Sequence, residues 1–345
     1  MYKRTNTLKI SVIGVGHLGE IHAKLLKRNH FAKLEGVYDI DFQRAEKIAL
    51  EQSCKVFLNL NDLIESSDAV IISSPTTTHY QIAKKCIENS LHCFIEKPIT
   101  ATYQQATRLI KLASQKNVII QVGHVERFNP ALKAIMKYNP KPLFIESHRL
   151  SQFKTRATDV SVISDLMIHD IDIVLWLVKA RIKNIYANGV AVLTNTIDIA
   201  NARLEFDNGV VANLTASRIS AKPTRKMRIF QKDAYFSLDF AKHTVEIYRI
   251  VEGDRTVHTG TPAVMLGDIE NSTKKISIVY ESPSVEDGNA ITEEHNSFFR
   301  AILHSEKVPI SVSEASQALR VSEMIEKKIK KSLQLFQSQS NRLTL

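Results

Sequence analysis

The sequence predicts an α/β chain in two parts: an N-terminal doubly wound parallel sheet over residues 1–122 and, over 123–345, an α+β domain built on a large, mostly antiparallel sheet. Three observations carry that prediction. Short apolar runs alternate with helix-period segments from residue 8 to about 122, a Gly-x-Gly-x-x-Gly turn joins the first such pair, and after Gly123 strands linked by turn sequences dominate. At 345 residues, 44% of them hydrophobic and with no long biased tract or internal repeat, the chain exceeds one ordinary core, so two domains are expected.

The first apolar run, Leu8 to Ile13, has the Ile10, Val12 and Ile13 of a buried strand and leads into Gly14-Val15-Gly16-His17-Leu18-Gly19. In such a turn the first glycine permits the tight bend, the second lets the backbone approach a pyrophosphate, and the third lets the next helix pack on its strand. The helix Leu18 to Lys27 then opens with unpaired amides suited to an anion. A second strand, Leu34 to Asp39, ends in a carboxylate that suits the free hydroxyls of an adenosine ribose. Its charge would repel a 2′-phosphate and no arginine follows directly, so NAD fits better than NADP.

Helices at Phe42 to Glu51, Tyr80 to Asn89 and Thr102 to Ser114, with strands at Ala69 to Ser73, Cys93 to Glu96 and Val118 to Val122, continue the alternation. Parallel neighbours need crossovers, so this pattern implies a parallel sheet with its ligand at the carboxyl ends of the strands. One of those ends is Glu96-Lys97-Pro98, and a lysine at that edge is a usable acid or base.

Beyond Gly123 come a helix at Pro130 to Lys137, a strand at Leu143 to His148, a polar loop and an apolar helix from Asp165 to Val178. Asp165 and His169 are four apart and share a helix face, where the carboxylate can fix the imidazole tautomer and raise its basicity. His169, Asp170 and Asp172 have metal-ligating side chains, but no ligand group beyond this string is evident elsewhere and no metal is expected. Strands Ala202 to Phe206 and Val210 to Ser217 flank Asp207-Asn208-Gly209, a hairpin turn. Arg225 to Gln231, Ala234 to Asp239 and His243 to Val251 extend the sheet. Helices Thr292 to Leu303 and Ser313 to Lys331 close the chain, the latter capped through Ser313 and Glu314 and able to pack back toward the first domain. Of the remaining singled-out residues, His22 and His30 read as surface, His124 as a junction histidine or a ligand contact, and Trp176 as core.

Composition excludes several classes. The net charge of +10 and the clusters Lys222 to Arg228 and Lys327 to Lys331 fall in no nucleic-acid-binding motif; they favour anionic ligands instead. The apolar run at Ile173 to Val178 is far short of the roughly 20 residues a spanning helix needs, and Lys3-Arg4 runs into the glycine turn without a cleavage site, so a cytoplasmic protein without a membrane partner is expected. Cys54, Cys86 and Cys93 have neither disulfide-framework nor zinc spacing and read as buried thiols.

The ordered set Gly14-x-Gly16-x-x-Gly19, Ser74-Pro75-Thr76 with His79, Glu96-Lys97-Pro98 and Asp165-x-x-x-His169 resembles the Gfo/Idh/MocA family of sugar oxidoreductases over nearly the whole chain. Val122 to Pro130, Asp165 to Asp172 and Phe206 to Arg218 are similar to the branch acting at carbon 3 of UDP-N-acetylglucosamine. The resemblance implies a Rossmann domain in which Gly14, Gly16, His17, Leu18, Gly19 and Asp39 hold the adenosine half of NAD. Ser74, Pro75, Thr76 and His79 would border its middle, and Glu96 and Lys97 its nicotinamide. It also implies that Lys97 and His169 face the reacting hydroxyl, that Asp165 contacts the sugar or supports the base, and that the peptide before Pro98 is often cis. Arg127 and Asn129 are implied substrate contacts, followed by Ser217 and Arg218; Met167 stands where the family often has glycine, which alters the sugar pocket. The implied activity is NAD-dependent oxidation of a secondary ring hydroxyl to a ketone, at carbon 3 of UDP-N-acetylglucosamine or a related UDP-sugar. The alternatives are a dehydrogenase of a free sugar, inositol or polyol, and a catalytically silent NAD-binding sensor. A homodimer or homotetramer through the open face of the second sheet, and an aminotransferase acting alongside, are further implications.

Overall fold

In a computed structural model that describes residues 7–154, 160–252, 263–271, 274–286 and 288–343, six strands make a wholly parallel sheet. They are Leu8–Ile13 (β1), Ala32–Tyr38 (β2), Lys55–Val56 (β3), Ala69–Ile72 (β4), His92–Glu96 (β5) and Ile120–Gly123 (β6), in the order β3-β2-β1-β4-β5-β6. Helices His17–Leu26 (α1), Phe42–Gln52 (α2), Leu60–Ser66 (α3), Thr76–Glu88 (α4) and Tyr103–Lys116 (α5) make the crossovers. Side chains close the helix starts: Asp41 accepts from Arg44 N, Asn59 from Asp62 N and Thr102 from Gln105 N. β4 is buried throughout because a parallel strand is covered on both faces. β3 and α3 were not expected from the sequence, since two strand residues and seven helical ones are too short for a period to register.

The second sheet has nine strands: Phe144–Leu150 (β7), Ile182–Val190 (β8), Ile199–Phe206 (β9), Val211–Ser217 (β10), Thr224–Phe230 (β11), Ala234–Asp239 (β12), Thr244–Glu252 (β13), Ala263–Asn271 (β14) and Lys274–Glu281 (β15). Their order is β14-β15-β13-β12-β11-β7-β10-β9-β8, antiparallel except for the β7–β10 pair. Residues alternate across it: Ile145, Ser147 and Arg149 of β7, like Ala234, Phe236 and Leu238 of β12, are buried. Helices Pro130–Met136 (α6) and Ile168–Val178 (α7) pack on this sheet. On the opposite side Phe144, Phe230, Tyr235, Tyr248 and Tyr280 form a half-buried file with ring centroids 4.7 to 5.7 Å apart. β8, β14 and β15 were missed: β8 carries Asn184, Asn188 and Gly189, residue types depleted in strands.

Two helices close the chain, Ala290–His304 (α8) and Val312–Leu343 (α9). The chain divides into two compact units: residues up to Val125 with Asn289–Arg320, and Glu126–Gly288 with the residues from Val321. Within the first unit, Phe298 and Phe299 of α8 join Ile10, Val12, Leu26 and Phe94 in one core, and Ser311 bridges to Gln121 of β6. The cap of α9 is a box two residues earlier than expected: Ser311 Oγ accepts from Glu314 N at 3.2 Å, and Glu314 Oε2 accepts from Ser311 N at 3.0 Å. Among the described residues no helix is long and apolar enough to cross a membrane.

Candidate active site

At the carboxyl edge of the first sheet the three glycines have separable roles. Gly14 has φ +85°, and a Cβ there would lie 2.5 Å from Ser74 N. A Cβ on Gly19 would lie 1.9 Å from the Gly14 carbonyl oxygen, so α1 can approach β1 only without one. Around Gly16, the residue that opens α1, no atom lies within 4 Å of the Cβ position. That open cradle with a helix start behind it fits a pyrophosphate. His17 and Leu18 are exposed on the first turn of α1.

Asp39 faces this turn and shapes it: Oδ2 accepts from Val15 N at 2.8 Å and Oδ1 from Asp41 N at 2.9 Å. Arg44, which reading along the chain did not connect with Asp39, reaches to 3.8 Å from Asp39 Oδ2 while pairing with Asp41 at 3.0 Å. Ser74, Pro75 and Thr76 lead into α4, and Ser74 Oγ is 2.7 Å from Thr78 Oγ1. His79 is 1% exposed, with Nδ1 2.9 Å from the Pro98 carbonyl oxygen and Nε2 2.7 Å from that of Ser74. It therefore ties the two loops together from beneath. Burial holds this imidazole below its ordinary value, against the opposing pull of the two carbonyls.

Glu96, at the end of β5, is buried; Oε1 lies 3.0 Å from His22 Nε2 and Oε2 accepts from Lys97 N at 3.2 Å. Burial alone would raise this carboxyl, but the hydrogen bond from His22, with Lys97, holds it below the usual carboxylate value. Lys97 is half-buried and its peptide to Pro98 is cis. His22 is fully buried, contrary to its reading as a surface residue, because it packs on Phe94 and on His295, which lies 273 positions along the chain. His30 is exposed and His124 buried.

In the second unit Asp165 belongs to a π-helical turn, Ile163–Met167, and His169 to the first turn of α7. The expected continuous α-helix from Asp165 therefore begins three residues later. Both side chains are half-buried, while Met167 between them is fully buried. The neighbouring aspartates hold arginines: Asp172 takes Arg127 through both oxygens at 2.7 and 2.6 Å, and Asp170 takes Arg149 at 3.0 and 2.9 Å. Arg149 also donates to Glu126 at 2.7 Å. Although burial opposes its charge, Asp170 and Glu126 raise the Arg149 value further above the ordinary one.

Arg127 and Asn129, the implied substrate contacts, are 7% and 6% exposed. The Arg127 guanidinium lies over the Trp176 ring at 5.4 Å, and that ring is half-buried rather than core. Asn129 caps α6 through Ala131 N and donates to Glu126 and the Phe240 carbonyl. Arg218 is likewise buried, its guanidinium donating to the Val160 carbonyl, and Ser217 Oγ accepts from Ile219 N. The sequence did not disclose Glu126, Arg149, His22 or His295 as parts of these networks, for lack of any local spacing that pairs them.

A family model described as an oxidoreductase family with an NAD-binding Rossmann fold matches residues 8–124, and one for the GFO/IDH/MocA C-terminal domain matches residues 134–237. The chain is 40% identical to UDP-N-acetylglucosamine 3-dehydrogenase of Acidithiobacillus ferrooxidans over 258 residues, 74% of this chain and 81% of the relative. It is 31% identical to scyllo-inositol 2-dehydrogenase (NAD(+)) of Bacillus subtilis over 233 residues, 62% of this chain and 68% of the relative. Among solved structures, UDP-N-acetylglucosamine 3-dehydrogenase from Acidithiobacillus ferrooxidans superposes with a TM-score of 0.84 at 32% identity, over 94% of this chain and 98% of that one. Scyllo-inositol dehydrogenase from Lactobacillus casei, with bound NAD(H) and scyllo-inositol, gives 0.74 at 20% identity over 94% and 98%, a likeness of fold alone.

Proposed function

Because the chain belongs to the Gfo/Idh/MocA oxidoreductase family with its NAD-binding Rossmann fold, we propose that it is an NAD-dependent dehydrogenase of a UDP-sugar, oxidising the carbon 3 hydroxyl of UDP-N-acetylglucosamine or a close analogue to a ketone. The observation that carries the reading is the 40% identity to a UDP-N-acetylglucosamine 3-dehydrogenase, of which the chain covers 81%. The bound nicotinamide supplies the hydride acceptor. The open turn at Gly16, with His17 and Leu18 at the start of α1 and shaped by Gly14 and Gly19, would receive the pyrophosphate and Asp39 the adenosine ribose, with Ser74, Pro75 and Thr76 along the middle. NAD is preferred over NADP in this reading because Asp39 and Asp41 outnumber Arg44, which leaves one net negative charge at the turn to repel a 2′-phosphate.

Oxidation removes a hydride from carbon and a proton from its hydroxyl, and two groups are assigned to the proton: Lys97, and His169 with Asp165 as its support. All three are half-buried, open to a substrate yet partly shielded from water. Arg127 and Asn129 are assigned as positioning residues, since their side chains already bond inside the second unit. A homodimer or homotetramer through the aromatic file of the second sheet, in the cytoplasm, and transfer of the keto product to an aminotransferase complete the proposal. The likeness to scyllo-inositol 2-dehydrogenase (NAD(+)) supports a second reading, a free inositol or polyol as substrate.

The test is NADH formation with UDP-N-acetylglucosamine, an aminotransferase or carbonyl trap being added because alcohol oxidation stops at a small equilibrium yield. Lys97→Ala and His169→Asn should each lower kcat by about 10²- to 10⁴-fold, the range for a lost proton-transfer group. Full turnover in either variant removes that residue from the chemistry. Turnover on scyllo-inositol but not on the UDP-sugar overturns the substrate assignment.

A further inference from the structure

Behind β5 lies a buried polar chain with no part in the proposed reaction. His295 of α8 has its Nε2 2.7 Å from His22 Nδ1, and His22 Nε2 is 3.0 Å from Glu96 Oε1. Both imidazoles are 0% exposed. Phe94 meets them edge-on at 5.7 and 5.6 Å, and Phe299 lies 5.9 Å from His295. Two imidazoles in an apolar wall are costly unless hydrogen-bonded. The backbone also makes room for the carboxylate, since Glu96 pairs with Gly123 across β5 and β6, and a Cβ at Gly123 would lie 2.8 Å from Glu96 Oε1.

The directions of these bonds follow from donor chemistry. A carboxylate only accepts, so His22 donates from Nε2 to Glu96. A His22 ring protonated at Nε2 alone presents a lone pair at Nδ1, to which His295 donates from Nε2. The remaining ring nitrogen, His295 Nδ1, has no partner among the described residues. In this arrangement it is a bare lone pair, and no buried N–H is left without an acceptor. Burial holds His295 well below the ordinary imidazole value, so it stays neutral. Without His295, His22 could take the opposite tautomer and Glu96 would lose its donor.

We propose that His295 and His22 are positioning residues for Lys97, a one-way hydrogen-bond relay that holds Glu96 as an anion against the Lys97 backbone amide. The proposal rests on the role assigned to Lys97 above. The other ionisable groups near Glu96 are Lys97 itself and His79, and Glu294 neighbours His295 in sequence on α8. The relay supports the Oε1 oxygen of the carboxylate, while the Lys97 amide holds Oε2.

Nitrogen NMR of the full chain labelled with ¹⁵N-histidine tests the relay without substrate or cofactor. Both rings should be Nε2-protonated at pH 7.5; a His22 ring protonated at Nδ1 alone overturns the proposal. In the NADH assay, His295→Phe keeps the packing and removes the donor, while His295→Gln retains a donor. With His22 no longer oriented, burial raises Glu96, and the acid limb of kcat/KM should move up by about one pH unit in the Phe variant. The Gln variant should restore it, and NADH binding by fluorescence should be unchanged in both. An unmoved acid limb in an active His295→Phe protein overturns the proposal. If no substrate is turned over, the tautomers still decide the relay while the substrate assignment alone falls.

Discussion

Asp39 has two tasks: its oxygens accept from Val15 N and Asp41 N, and in the proposed function its charge is assigned to the adenosine ribose. Replacing it with alanine removes charge-assisted bonds of about 1.5–3 kcal/mol each. Asp39→Ala should therefore lower kcat/KM for NAD by about 10- to 100-fold, while Arg44, freed of one carboxylate, should narrow the preference for NAD over NADP. Parallel assays with both cofactors check this; an unchanged ratio would remove Asp39 from cofactor choice. Asp39 was legible because the strand–turn–helix–strand pattern assigns it a place. Arg44 was not, because its nearness depends on how α2 lies beside the end of β2. His22 was misread for a similar reason: on α1 it is simply polar, and only a residue 273 positions away explains its burial.

At the scale of elements, two arginine forks lock the second unit's candidate residues into position. The turn Val125–Phe128 presents Arg127 to Asp172 of α7, and β7 presents Arg149 to Asp170, so α7 is pinned at both aspartates beside His169. The Arg127 and Asp172 side chains are 4% and 2% exposed. Breaking such a buried pair from one side leaves an uncompensated charge, so Asp172→Ala should cost about 3–5 kcal/mol in denaturant unfolding. A loss below about 1 kcal/mol would mean that Arg127 finds another partner. The cap of α9 should matter less: Ser311→Ala should cost about 1 kcal/mol. Helix α7 itself was legible from its apolar run, whereas the π-turn before it was not, because one widened turn leaves the hydrophobic period almost unchanged.

For the whole molecule, two buried histidines, His79 and His295, and the half-buried His92 set the pH response. His79, His92 and His295 all lie below the ordinary imidazole value, near 6.5, chiefly through burial. The unfolded chain binds those protons more readily, so the stability these groups contribute is full above about pH 6.5 and is lost as pH falls below it. Glu96, Glu35 and Asp198 have depressed values as well, Asp198 down to about 2 where amides of Val192, Leu193 and Thr194 outweigh burial. Their contribution is lost at still lower pH, below the ordinary carboxylate range. The unfolding temperature should therefore fall steadily from about pH 6.5 to pH 5 and more steeply below pH 4.5; a flat profile down to pH 5 would mean that the histidine sites open without global unfolding.

By itself the sequence determined the alternation of β1, β2, β4, β5 and β6 with α1, α2, α4 and α5, the glycine turn with Asp39, the Asp207-Asn208-Gly209 hairpin and the edge position of Lys97. Each of these depends on turn chemistry, periodicity or strand ends, which neighbouring residues specify. Only the tertiary structure decided that Asn289–Arg320 completes the first unit, that His295 and His22 stand behind Glu96, and that Arg127, Asn129 and the two aspartates of α7 bond internally. Those outcomes join residues tens to hundreds of positions apart, and burial, not spacing along the chain, chooses the partner of a polar side chain.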